Sequence, residues 1–395
     1  MRRGKLCILI FLLFVMSGKM QVQSYGANSG NTEAGTESAE VSLDLDQYDL
    51  TEIQDYLDRL NGVNDTGLSF KGMMESLIKG KGDEVLSQIG NAIKNALFSQ
   101  VESNSHMMGQ IIVLGIIGAV FSDFSSVFSG SQISETGFFV TYLLLFTYLA
   151  ASFFTSISIA ASVVDQIMDF MRALMPAYFL AAAFAGGSVT ALASYEFTLF
   201  VITLAQMLLA KVLLPIVRVY ALLVMAGHIA KEDLLSKLTE LMEQVISWSL
   251  KTLVGVVLGF HLIQALVLPY VDSVKSGAVK KLVGVIPGIG HGVSSVAQMV
   301  LGSGVVIKNT MGAAGIIVLL VITIIPMIKL VVLMILYQCV AAVLQPVCDK
   351  RIVSCISEMA KGHKLLLAIA GSAMLLFVIT IAVVCASTNV MYYTG

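Results

Sequence analysis

The sequence predicts an all-α, polytopic helical membrane protein with broken helices, and three observations carry that prediction. Between Gly109 and Ala386, apolar stretches long enough to cross a bilayer follow one another, about 20 residues making one crossing. Hydrophobic residues are 57% of the 395 and charged residues 13%, with a mean hydropathy of +0.86, whereas soluble domains carry about a quarter charged residues. The stretches are interrupted at Pro176, Pro215, Pro287 and Pro326 and by glycine clusters. Interrupted helices persist at membrane depth only against other protein or around a wet cavity. The net charge of −2, without a basic stripe interleaved with aromatics, gives no footprint for nucleic acid.

The first residues read as a secretory signal peptide, 1–26. Arg2, Arg3 and Lys5 precede an apolar run from Leu6 to Met16, and small residues follow at Ser24 and Gly26. An uncleaved anchor is the alternative, and either form exports the next segment. Residues 27–46 are a linker of mostly small and polar residues, too polar to order. From 47 to 105 a small exported helical region follows: Leu50, Ile53, Leu57 and Leu60 recur at helical spacing, and a second pattern runs from Met73 to Phe98. It is thin in apolar residues, so it is expected to pack on the membrane domain or on a partner.

The membrane domain, 106–395, divides into about seven to eight spans, near 107–122, 138–161, 174–194, 197–226, 249–271, 287–306, 311–345 and 365–386. The segment 231–248 reads as an amphipathic surface helix, with Leu238, Leu241 and Val245 on one face. Lys275, Lys280 and Lys281 in 272–286, and Lys350, Arg351, Lys361 and Lys364 in 346–364, put both segments on the cytoplasmic side, and the more acidic 231–248 outside.

Pro176 and Pro287 are 111 positions apart, as are Pro215 and Pro326. Around the second pair, LLPIVRVYALLVM reads against IIPMIKLVVLMIL, with Arg218 matching Lys329. Two readings stay open: a chance similarity of two apolar helices, or units of three crossings that form an inverted repeat with a path at their interface. Lys211 and Arg218 share a helix face, and Glu196 and His261 add two further ionisable groups in or beside spans. Two readings stay open for these: snorkelling to the interface, or a polar pathway in which Arg218 and Lys329 face a shared interior. The segment from Pro287 to Gly312, with Gly290 and Gly302 among its glycines, is expected to be broken and partly unwound. No phosphate loop, HExxH or GxSxG is present, and the five cysteines lack metal-site spacing. The reading is a non-enzyme with no cofactor and no metal.

The text VIPGIGHGVSSVAQMVLGSGVVIKNTMGAAGIIVLLVITIIPMIKL from Val285, followed by YQCVAAVLQPVCDKRIVSCIS from Tyr337, resembles the stage III sporulation protein AE family. Pro287, Gly290, Lys308, Asn309, Gly312, Pro326, Lys329, Ala341, Pro346 and Ser357 carry the likeness. The resemblance implies an endospore-forming source and a place in the mother-cell membrane around the forespore. It also implies partners: the other proteins of the stage III sporulation operon, including its ATPase, and a forespore membrane channel protein. The implied function is that of a subunit in a channel or feeding apparatus, either a transport component or a non-conducting assembly platform. No catalytic residue comes with it.

Overall fold

The computed structural model describes residues 50–64, 69–78, 82–127, 131–185, 188–229, 235–284 and 290–387, and no strand occurs among them. The signal peptide, the linker and Pro287 lie outside the described residues. The helices are α1 Thr51–Asn64, α2 Phe70–Ile78, α3 Gly82–Val127, α4 Ser131–Phe184, α5 Ser188–Ala205, α6 Leu214–Gly227, α7 Ser236–Gly284, α8 Gly290–Leu344 and α9 Lys350–Ser387. A π-helical segment, Gln206–Leu213, joins α5 to α6 without a turn. Six helical stretches among the described residues are long and apolar enough to cross a membrane. The chain is a multi-pass membrane protein, and its eight apolar stretches are carried on six helices.

The expected proline breaks are corrected by this arrangement. α4 runs through Pro176 and α8 through Pro326. Each proline frees one carbonyl four residues earlier, and apolar helices tolerate that when neighbours and small backbone adjustments re-satisfy it. Pro215 has no N–H to donate towards Lys211, and there the pattern loosens: the Leu214 N–H reaches back to the Leu209 carbonyl, the five-residue spacing of a π-helix. The break is in the hydrogen-bond register rather than in the path of the chain.

The segment from Gly290 to Gly312 is likewise helical throughout, so the expected unwinding is not found there. Its glycines serve contact instead. A Cβ on Gly304 would lie 3.0 Å from the backbone of Phe184 and Ala185, and one on Gly312 would lie 3.2 Å from the Tyr178 hydroxyl. Gly302 has open space around it, so close approach explains Gly304 and Gly312 but not Gly302.

α9 is the axis of the bundle. It packs along α8 and also against α7, α4 and α6. Ala360, Leu365, Ile369, Ala373, Leu376, Phe377 and Val378 are all buried, a set spread too widely around the helix for a one-sided stripe. Small residues let the neighbours approach, and a Cβ on Gly362 would sit 2.7 Å from the Phe153 ring. The short helices α1 and α2 dock on this bundle: Ile53, Leu57, Phe70 and Met74 join its core, and the Tyr56 hydroxyl donates to the Gln166 carbonyl at 2.8 Å.

The separate amphipathic helix is also corrected. Residues 236–248 are the first turns of α7, with Leu238, Leu241, Val245 and Trp248 exposed. Arg351 at the start of α9 donates to the Ile229 carbonyl at 3.4 Å, and Leu235 meets Gly227. The start of α7 and the 346–364 segment therefore lie at the same end of the bundle, not on opposite faces. The reason is the helix count. One unbroken α8 sets its two ends apart, and with them the two basic segments that flank it.

Candidate functional site

Buried histidine and lysine side chains inside an apolar bundle are few, and among the described residues His363, His261 and Lys308 lie on or against α9. Nearest its N-terminal end, His363 is fully buried between α4 and α8. Its Nδ1 lies 2.9 Å from the Met359 carbonyl, which can only accept, so Nδ1 carries a proton. Nε2 lies 2.9 Å from the Ser156 hydroxyl, and Ser156 also reaches the Ser152 carbonyl at 3.1 Å. Tyr337 of α8 donates to the Ser152 hydroxyl at 2.7 Å. Phe153 meets the imidazole edge-on, with centroids 5.1 Å apart.

Further along α9, His261 of α7 is fully buried, with Nε2 3.0 Å from the Thr380 hydroxyl. Thr380 spends its proton on the Leu376 carbonyl at 2.9 Å, so Nε2 donates and Nδ1 is the bare acceptor of a neutral ring. Nδ1 and the Gln264 Oε1 atom have no hydrogen-bond partner among the described residues. Phe197 of α5 lies edge-on to the ring at 5.0 Å.

At the C-terminal end of α9, Lys308 of α8 is fully buried. Its Nζ donates to the Cys385 carbonyl at 3.0 Å, one of the last carbonyls of α9, where a cation meets the negative end of the helix dipole. The Cys385 thiol reaches Asn309 Oδ1 at 3.2 Å, and the Tyr178 hydroxyl donates to the Ile381 carbonyl at 3.2 Å.

Of the residues chosen from the sequence, the structure brings together Lys308, Asn309 and Gly312, which face the end of α9 and Tyr178. Arg218, Lys211 and Glu196 are exposed, and Arg218 lies over the Phe154 ring, 5.5 Å from its centroid. Lys329 is half-buried on α8. Arg218 therefore does not share a buried interior with Lys329, because its side of α6 faces outward. Pro176, Pro215 and Pro346 are exposed, and Pro326 is half-buried. Gly290 is helical. Sequence reasoning missed His363, Tyr337, Ser156 and Thr380. One signal pointed to them: Ile352, Ile356, Met359 and His363 recur at helical spacing, extending α9 back through a segment its charges mark as a loop. Among the described residues no cluster of His, Cys, Asp or Glu has the makings of a metal site.

The stage III sporulation protein AE family matches residues 68–388, a stretch that spans all three polar groups. The chain belongs to the stage III sporulation protein AE family. Membership carries a role in sporulation. A curated relative, stage III sporulation protein AE of Bacillus subtilis (strain 168), is 23% identical over 391 residues, covering 97% of each chain. No solved structure matches the fold.

Proposed function

We propose that the protein is a membrane subunit of the apparatus joining mother cell and forespore during sporulation, and that it contributes a transport or channel step. It sits in the mother-cell membrane with its N-terminal region in the intermembrane space. It works with the other proteins of its operon, whose ATPase supplies the energy, and with a channel protein of the forespore membrane. It performs no catalysis of its own. The observation that carries this reading is the placement of buried His261 and Lys308 against α9. Ionisable residues inside membrane helices are costly and are retained for function by default.

A second reading is favoured by the closeness of the packing. Two cavities in the described structure are grooves at the surface, one of about 490 Å³ beside Met334 and one of about 680 Å³ beside Glu52. A non-conducting platform that anchors ring-forming partners needs no lumen. Conduction needs either helix movement or assembly. Uptake of small solutes into vesicles holding the purified protein, alone and then with its operon partners, separates the two. Uptake that requires this subunit and falls in the His261→Leu variant supports transport, whereas assembly of the partners without any flux supports the platform.

A further inference from the structure

The groove of about 490 Å³ between α8 and α9 combines two chemistries. Met334, Ile335, Gln338 and Cys339 of α8 form a largely apolar wall, and Lys361 and Lys364 of α9 stand at its edge. The lysines are three residues apart, hence on one helix face, and both are exposed. Lys361 has only a loose ion pair to Glu358, at 3.8 Å. Lys364 has no ion pair among the described residues. The uninterrupted apolar run of α9 begins at Leu365, directly after the second lysine, so the pair marks where charge gives way to hydrocarbon.

We propose that this groove binds an anionic phospholipid, with its phosphate on Lys361 and Lys364 and an acyl chain against Met334 and Ile335. Charge complementarity selects the occupant. Two cations with a single weakly engaged carboxylate favour an anion, and basic pockets between membrane helices hold acidic headgroups. The apolar wall separates a lipid from a free anion, because inorganic phosphate gains nothing from Ile335, which is 51% exposed. A zwitterionic lipid fills the groove equally well but leaves the second lysine without net attraction.

Two reporters sit where the test needs them. Cys339 in the groove is exposed, while Cys348 and Cys385 are half-buried and Cys355 is buried. Burial and the adjacent Asp349 push the Cys348 thiol up, which slows its competition for a label. The single tryptophan, Trp248, is 69% exposed on α7 and reports lipid contact elsewhere. The full chain carrying Cys7→Ser and Cys348→Ser is labelled at Cys339 with a fluorophore and placed in phosphatidylcholine vesicles. Equal fractions of brominated phosphatidylglycerol or brominated phosphatidylcholine are then compared as quenchers. The expected result is stronger quenching by the anionic lipid, with a preference that falls about fivefold for each lysine replaced and vanishes in K361Q/K364Q. Trp248 quenching stays the same in both chains, showing that the variant is inserted and folded. Equal quenching by the two lipids, or a preference that survives the double substitution, overturns the proposal. So does loss of the preference when inorganic phosphate is added against a chloride control of equal ionic strength, which makes the site one for free anions.

Discussion

The neighbourhoods of His363 and His261 both bury an imidazole against α9, yet they differ in what happens when a proton arrives. Around His363 the hydrogen bonds can reverse. With a neutral ring, Ser156 donates to Nε2, and with a charged ring Nε2 donates to Ser156, whose hydroxyl then turns to the Ser152 carbonyl. Every donor keeps an acceptor in both states. Around His261 the neutral ring leaves Nδ1 bare, with Gln264 Oε1 equally unpartnered. The Gln264 side chain lies within hydrogen-bond reach of the ring, so these two buried acceptors gain a hydrogen bond only when a proton arrives on Nδ1. The difference teaches that burial alone does not mark a functional histidine. A satisfied network specifies the packing, whereas an unsatisfied one is held in place by the rest of the fold.

The sharpest way to break this comparison is to disturb the packing that holds each ring. Gly362→Val pushes a side chain into the buried Phe153 ring that faces His363, and overpacking of this kind costs about 1–3 kcal/mol. The temperature at which the purified protein loses half its helical circular dichroism should fall clearly. Gly302→Val, with nothing within 4 Å of its Cβ position, should leave that temperature almost unchanged. An equal fall in both would mean that α8 and α9 do not pack as described.

Replacing the rings themselves gives the next largest effect. His363→Leu removes the partner of the buried Ser156 hydroxyl and the edge-on contact with Phe153, and is expected to destabilise the protein by about 2 kcal/mol. His261→Leu removes an unsatisfied acceptor and should change stability by less than about 1 kcal/mol in either direction. Denaturant midpoints in the same detergent decide between them, and the reverse order would show that His261 is the structural histidine. Tyr337→Phe removes one hydrogen bond, to Ser152, and should cost about 1 kcal/mol, read as a shift of the midpoint without a change of slope. The smallest effect is expected for Arg218→Leu. An exposed cation over Phe154 contributes about 0.5–1 kcal/mol, and an apolar replacement suits a lipid-facing position. Membrane accumulation should be normal, and a collapse in yield would return Arg218 to a buried role.

The helical class and the membrane character were legible because apolar length and low charge are properties of composition, which no tertiary contact can reverse. Lys308, Asn309 and Gly312 were legible as a pattern, though not as a place: nothing in their spacing says that they meet the C-terminal end of α9. The helix ends were misread for a physical reason. Pro176 and Pro326 stop helices in water, where a freed carbonyl turns to solvent, but they sit within long helices here because lipid offers no such alternative. His363 was hidden by its neighbours Lys361 and Lys364, whose charges belong to the exposed side of the same turn that buries the imidazole. The pairing of Tyr337 with Ser152, 185 positions apart, is beyond any local signal.

The unbroken course of α4 has a mechanical consequence. Its 54 residues make a rod roughly 80 Å long, and α1 is fastened roughly two-thirds of the way along it through Tyr56 and Gln166. Such a rod acts as a lever with its fulcrum at α1. A tilt of roughly 10° about that point displaces the N-terminal end by about 9 Å and the C-terminal end by about 5 Å in opposite senses, so Tyr142 and Tyr178, near its opposite ends, cannot shift independently. A load applied to α1 is delivered to both ends of the bundle at once.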